Sequence, residues 1–260
     1  MPRLQAFTRA SKGDVSTHVL VTSIEEVYNE ALMRLHDYVE RKGQPGFKLA
    51  TGTVHGLKVS VALRPVGPSA MAILLEELSR LGARVVLSLD TALALAPSLG
   101  IGRTVLAAAS IKGDGVSKTY APAEVPAIAD FEFLRHIQQT LEIHNVSLTV
   151  GLVWSVDSFY VSEALLEHGL RTYGKMALAL DMDTAALYSV AMARKLQAAS
   201  ILVIESSVPK GIERGVIYQG GEELHTRVLE SLTKLMKPIL EALTLHMEKS
   251  KARIRQASVA

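Results

Sequence analysis

Short apolar runs alternate along the chain with longer segments in which apolar positions recur at helical spacing. This alternation predicts an α/β fold, in which helices flank a largely parallel or mixed central β-sheet. No linker, internal repeat or low-complexity segment interrupts the pattern, so we expect one domain over residues 1–260. The predicted strands read HVLVTS, FKLATG, LKVSVALR, RVVLSLD, RTVLAAASI, SLTVGLVWS, KMALALD and SILVIES.

The connections between these strands carry further structural signals. The short stretch TVHG predicts a hairpin between the second and third strands, and PSAMAILLEELSRLG predicts a helix that Gly82 terminates. Apolar spacing over Glu222–Met247 predicts one long amphipathic helix, bent at Pro238. Residues 1–17 form an N-terminal segment, and the basic residues 249–260 predict a solvated, frayed tail.

Composition narrows the classes of function. The formal net charge of +2 is too small to indicate a nucleic-acid or membrane partner. Without a secretion signal or an apolar run that could span a bilayer, we expect a cytoplasmic protein. The sequence has no cysteine and its eight histidines are scattered, so we expect no metal site. Scarce asparagine together with absent cysteine points toward a hot-environment source.

Two aspartates flank one methionine in ALALDMDTAALY, where a predicted strand ends and an alanine-rich helix begins. Asp183 has the side chain and the position of a helix N-cap. Ligands of open α/β sheets also collect at the carboxyl ends of strands. Asp183 is therefore also a candidate for ligand binding, as are the polar residues of LSLD, SVDSFY and IESS at other strand ends.

Several longer motifs occur in a consistent order from about Leu4 to Leu243. They are ASKGDVSTHVLV, GLKVSVALRPVGPSAMAILLEELSRLGARVVL, DGVSKTYAPAEVPAIAD, WSVDSFY and LDMDTAALY. In this order they resemble the purine nucleoside and uridine phosphorylase family. The resemblance implies a nucleoside-phosphorylase-like α/β domain and a pentosyltransferase that cleaves the N-glycosidic bond of nucleosides. It also implies a nucleoside ligand, phosphate as a co-substrate without other cofactors, and a homo-oligomer built from dimers, as in the family's hexamers.

The resemblance assigns roles to individual residues. Met182 and Asp183 match the family's Met-Glu pair that holds the ribose, with an aspartate one methylene shorter than the family's glutamate. Phe159 matches the aromatic residue that stacks on the base, and Tyr160 is its neighbour. On the side of the leaving base, Ser206 stands where purine-specific members have an aspartate. Glu205 lies beside it and is a candidate proton donor after a small change of register.

The phosphate site implied by the resemblance is strongly altered. Ser23 stands where family members carry a glycine, Ser88 stands where they carry an arginine, and Asp90 replaces another glycine. Thr91 alone preserves the hydroxyl that family members direct at phosphate. The loss of two guanidinium groups and the gain of carboxylates make the free energy of phosphate binding less favourable by on the order of several kcal/mol. Arg64 is a candidate for a compensating positive charge, and either Arg64 or Lys112 is a candidate partner for Asp90. Asp90 is alternatively a contact for a polar or cationic ligand.

Three functions fit these observations, and the first is our prediction. It is a nucleoside phosphorylase with an unusual phosphate site. The second is a hydrolase in which Glu26 or Asp90 positions water, because the acidic stretch SIEEV resembles the water-activating glutamates of a hydrolytic branch. The alternative explanation, which we favour, is that Glu25 and Glu26 are acids at a helix N-terminus. The third is a non-catalytic paralogue that binds a nucleoside or serves as an oligomeric scaffold.

Overall fold

The computed structural model describes residues 4–215 and 222–257. Within these residues, ten β-strands join in one mixed sheet. The prediction of a mixed sheet in a single α/β domain is confirmed. The strands are β1 (His18–Thr22), β2 (His36–Lys42), β3 (Lys48–Val54), β4 (Leu57–Leu63), β5 (Val85–Ala94), β6 (Thr104–Lys112), β7 (Ala127–Ile128), β8 (Leu148–Ser155), β9 (Ala177–Asp181) and β10 (Gln197–Ser207).

The same part of the chain forms seven α-helices, and a short 3-10 turn at Val208–Lys210 follows β10. None of these helices is long and apolar enough to cross a membrane. The helices are α1 (Glu25–Leu32), α2 (Pro68–Leu81), α3 (Val116–Tyr120), α4 (Phe131–Ile143), α5 (Glu163–Tyr173), α6 (Thr184–Arg194) and α7 (Glu222–Ala257).

The sheet closes on itself at one end. Its strand order is β10-β6-β8-β9-β5-β1-β4-β3-β2, with β7 attached to β6, and β10 pairs additionally with β5. The long strand β5 therefore pairs with both β9 and β10, so that five strands return to their starting point. This closure brings the later halves of β5 and β10 close to the carboxyl ends of β1 and β9.

Helices cover both faces of the sheet because alternate strand residues point to opposite sides. Leu20 of β1 belongs to a core shared with α1, α4 and α7. Its neighbours Val19 and Val21 belong to a second core shared with α2 and α6. β1 is buried and mostly apolar on both faces, which is why it reads as a nearly continuous apolar run in the sequence.

All eight predicted strands have observed counterparts, whereas β2 and β7 were missed. Strand β2 reads HDYVERK and is almost entirely exposed, so no apolar pattern marks it. The predicted hairpin is confirmed: β3 and β4 are antiparallel, and His55 and Gly56 between them both have positive φ. Gly82 ends α2 in the left-handed conformation, as expected for a C-cap glycine.

The two ends of the chain are held differently. Near the N-terminus, the buried carboxylate of Glu77 on α2 accepts hydrogen bonds from the backbone amides of Phe7 and Thr8 and from the Thr8 hydroxyl. At the other end, α7 continues to Ala257 and includes most of the basic segment that was expected to fray. Residues 258–260 of that segment and residues 1–3 lie outside the described residues.

Three histidines form a cluster in which the ring of His246 on α7 contacts those of His18 on β1 and His136 on α4. His18 Nε2 lies 3.0 Å from His246 Nδ1, and His136 bonds to the Ala242 carbonyl. Burial lowers the pKa of both His18 and His246 to about 4. Nearby basic groups lower both pKa values further. They are His136 and Lys251 at His18, and His136, Arg253 and Lys249 at His246. At His246 the negative charge of Asp130 acts in the opposite direction and raises the pKa.

We expect acid to destabilise the protein through this pair. Between about pH 6.5 and 4, His18 and His246 bind protons in the unfolded chain but stay neutral in the folded protein. Protonation therefore favours the unfolded state, and stability is lost as the pH falls. Each such histidine contributes up to about 1.4 kcal/mol per pH unit. Denaturant unfolding from pH 7.5 to 4.5 measures this slope. His246→Gln should flatten it, whereas His168→Gln on the exposed face of α5 should not.

Candidate functional site

A cleft opens at the carboxyl ends of β1 and β9, beside the middle of β5. It encloses about 650 Å³, part of which is open to solvent. It therefore lies at the strand ends, where the sequence placed the candidate residues. The candidates that line it together are Ser23, Glu26, Asp90, Thr91, Phe159, Met182 and Asp183. The other lining residues are Ile24, Glu25, Val66, Asp181 and Arg214.

A buried arginine ties the walls of the cleft together. The Arg64 side chain, which directly follows β4, is fully buried. Its Nη2 donates to Oδ2 of Asp90 and to Oδ2 of Asp183, both at 2.8 Å. Its Nη1 donates to the Pro65 carbonyl at 3.0 Å. Of the two partners proposed for Asp90, Arg64 is correct, because Lys112 bonds to backbone carbonyls instead.

Asp90 is surrounded by hydrogen-bond donors from the ends of β1 and β4 and from within β5. Its Oδ1 accepts from the Ser23 amide at 2.8 Å and from the Ser23 hydroxyl at 2.6 Å. Its Oδ2 accepts from the Ser88 hydroxyl at 3.0 Å and from Arg64. Ser88 does not line the cleft and acts only through Asp90. Ser23, Ser88 and Arg64 are thus engaged with a carboxylate of the chain itself.

The cap of α6 is not the one predicted. Asp183 occupies the N-cap position but makes no capping hydrogen bond with its side chain. Oδ2 of Asp181 accepts instead from the amides of Asp183 and Thr184, at 3.1 and 2.8 Å, and from the Thr184 hydroxyl. Its Oδ1 accepts from the Ser155 hydroxyl at 2.5 Å. Because Asp181 supplies the cap, the Asp183 side chain is available to turn toward Arg64 and the cleft.

Asp183 keeps acceptor capacity for a ligand. Its Oδ1 is buried and has no hydrogen-bond partner among the described residues, while Oδ2 is bonded to Arg64. Burial raises the pKa of Asp183 to about 6, Arg64 opposes the rise, and the nearby Asp90 and Asp181 add to it. The group therefore changes charge close to neutral pH.

Glu205 lies behind the cleft wall. It is the extra residue of a β-bulge in the pairing of β10 with β5, and a bulge redirects the side chain it carries. The carboxylate is 1% exposed, and its Oε1 lies 3.6 Å from Nε of Arg214. Burial raises the pKa of Glu205, and the Arg214 charge opposes the rise only in part. Ser206, the other leaving-group candidate, is buried and does not line the cleft.

Of the two aromatic candidates, Phe159 lines the cleft and Tyr160 does not. Phe159 lines the cleft, with the Arg214 guanidinium 4.7 Å from its ring centroid in a cation–π contact. Tyr160 is 72% exposed outside the cleft and touches Phe159 only through an edge contact. Phe159 thus presents an aromatic surface to a ligand, and Tyr160 is absent from the cleft lining.

The two glutamates that follow β1, Glu25 and Glu26, differ in their ion pairs. Both Glu25 and Glu26 line the cleft, but Glu25 pairs with Lys48, whereas Glu26 makes no salt bridge to a described residue. Both lie in the first turn of α1, where acids favour the helix dipole. Among the described lining residues, five carboxylates face a single guanidinium, that of Arg214. Arg64 offsets part of this negative charge at Asp90 and Asp183, and Lys48 does so at Glu25. The negative charge that remains favours a neutral or cationic ligand and opposes an anion.

Comparison with known proteins identifies the family. The sequence profile of the Phosphorylase superfamily matches residues 17–241. The chain belongs to this superfamily. Guanosine phosphorylase of Halorubrum lacusprofundi is 26% identical over 198 residues, which cover 76% of this chain and 80% of that protein. A DeoD-type purine nucleoside phosphorylase of Bacillus velezensis is 29% identical over 213 residues, covering 78% and 88%.

Solved structures agree with this assignment. Uridine phosphorylase from Vibrio fischeri superposes with a TM-score of 0.82 at 25% identity, covering 93% of this chain and 97% of that one. Purine nucleoside phosphorylase from Toxoplasma gondii, solved in complex with immucillin-H, gives a TM-score of 0.84 at 20% identity, which supports the fold alone. The prediction of a nucleoside phosphorylase family member is confirmed.

Two residues of this superfamily member were not singled out from the sequence. Arg214 lies in the loop after β10, where one arginine in GIERGV carries no signal of its role. Asp181 stands in the same LDMD motif as Asp183, but only the hydrogen bonds reveal which aspartate caps the helix. Arg64 and the residues around it come from four separate strands or the residues that follow them, so sequence spacing could not identify them as a cluster.

We expect Arg64→Met to destabilise the fold strongly. The substitution leaves Asp90 and Asp183 buried side by side without their shared counter-ion, which costs about 3–5 kcal/mol. Chemical denaturation measures the loss. Arg171→Met, which breaks the exposed pair with Glu167, should cost less than about 1 kcal/mol. Equal effects of the two substitutions would contradict a structural role for Arg64.

Proposed function

We propose that this protein binds a nucleoside in the cleft and cleaves its N-glycosidic bond. The observation that carries the proposal is the meeting of Met182, Asp183 and Phe159 on one cleft, with Oδ1 of Asp183 left without a partner among the described residues. Asp183 would accept a hydrogen bond from a ribose hydroxyl, and Phe159 would lie against the base. Named relatives of the chain act on guanosine, uridine and purine nucleosides.

The charges of the cleft suit this reaction. As the bond between C1′ and the base nitrogen breaks, its electron pair leaves with the base and positive charge develops on the sugar. An oxygen nucleophile then completes the new bond at C1′. Asp183 and the other carboxylates of the cleft would stabilise that positive charge. Glu205, the proton-donor candidate, is buried behind the cleft wall beside Arg214 and does not line the cleft, so we assign it no direct proton transfer to the base.

Hydrolysis is a second candidate because Glu26 and Asp90 share the cleft. Glu26 is the exposed carboxylate of the two, and it carries no ion pair with a described residue. It would accept a proton from water as the water oxygen bonds to C1′.

We also retain the expectation of a homo-oligomer built from dimers, up to a hexamer, and sedimentation of the whole chain tests it.

Release of free base from a panel of purine and pyrimidine nucleosides tests the proposed function. Asp183→Ala should lower kcat/KM by about 10- to 100-fold, because it removes a charge-assisted hydrogen bond to the sugar. Glu167→Ala on the exposed face of α5 should leave kcat/KM unchanged. Circular dichroism verifies that each variant is folded. No base release from any nucleoside by the folded wild type would refute the proposal.

Nucleoside binding should weaken as the pH falls through about 6. Protonated Asp183 loses the negative charge that strengthens its bond to a sugar hydroxyl, and its pKa lies near that value. Titration calorimetry with a nucleoside between pH 5 and 8 measures the effect. Asp183→Asn should bind more weakly than wild type at pH 8 and show a flatter dependence. A wild-type affinity that does not change over this range would contradict the assignment.

A further inference from the structure

Asp90 is held as a bound anion would be held. Four donors converge on its two oxygens at 2.6–3.0 Å: one amide, two hydroxyls and one guanidinium. They come from Ser23 after β1, Ser88 on β5 and Arg64 after β4. Asp90 and Ser23 also line the cleft, so this arrangement borders the space in which a ligand would bind.

The burial of these groups separates the arrangement from an ordinary surface ion pair. Asp90 is 5% exposed, and the Arg64 side chain is fully buried. Asp14 offers a matched comparison, since it accepts from the Ser11 amide, the Ser11 hydroxyl and Arg41. In the Arg41–Asp14 pair, however, the arginine side chain is 39% exposed and the aspartate 20%. Water weakens such a pair, whereas around Asp90 the donors are shielded from it.

We propose that Asp90 is an internal anion that fills an oxyanion site and excludes inorganic phosphate from the cleft. Any phosphate at these donors would have to displace the carboxylate and would meet Asp183 and Glu26 across the same cleft. Both effects act against binding. If the proposed glycosidic cleavage holds, the nucleophile is water: its oxygen bonds to C1′, its proton passes to a carboxylate, and the electron pair leaves with the base. The binding claim stands independently of that activity.

Calorimetric titration of inorganic phosphate into the whole protein at constant ionic strength tests the exclusion. The wild type should show no saturable binding in the millimolar range. Asp90→Gly vacates the site while Ser23, Ser88 and Arg64 remain, so it should bind phosphate at least about tenfold more tightly than the wild type. Asp90→Asn removes the charge but still fills the space and should gain much less. Asp14→Gly frees a similar donor set at the surface and should gain nothing.

Saturable phosphate binding by the wild type would overturn the proposal, as would equal gains for Asp90→Gly and Asp14→Gly. The wild-type titration decides the matter even where Asp90→Gly does not fold. Base release gives a second readout: equal wild-type rates with and without phosphate support water as the nucleophile, and a strict phosphate requirement contradicts it. Absence of turnover would refute the proposed function and leave the phosphate titration as the test of exclusion.

Discussion

The buried guanidinium of Arg64 is the interaction on which the site depends. One nitrogen, Nη2, bridges two carboxylates, that of Asp90 in β5 and that of Asp183 at the N-cap of α6. Transfer of these charges out of water costs several kcal/mol per ion, which only close pairing and further hydrogen bonds offset. The serine donors at Asp90 supply part of that compensation. The same contacts fix the relative positions of the residues on the cleft wall.

The bridge also decides the charge that a ligand meets. Arg64 is paired with two carboxylates, so it adds little positive potential to the open cleft. Arg214 is paired with Glu205 behind the cleft wall. The carboxylates on the surface of the cleft then dominate. Under the proposed function, such a site would stabilise a cation that forms during the reaction and would repel a phosphate ion that approaches from solvent.

The superfamily fold and this charge pattern are separable. Closure of the sheet through β5, β9 and β10 places the same strand ends together whatever side chains they carry. Uridine phosphorylase from Vibrio fischeri shares this architecture over 93% of the chain at 25% identity. A scaffold can therefore be retained while the chemistry at its strand ends is rebuilt, because function resides in the site residues.

The sequence alone determined the fold class, eight of the strands, the β3–β4 hairpin and the family, since these follow from local apolar periodicity, turn residues and ordered motifs. It missed β2 because that strand is exposed and polar. It also brought Asp183 and Phe159 forward as site residues, although Tyr160 and Ser206 lie outside the cleft lining. The tertiary structure alone decided that Asp181 caps α6, that a bulge directs Glu205 toward Arg214, and that Arg64 joins Asp90 to Asp183. These outcomes depend on distances between groups far apart in the chain, which no local pattern encodes.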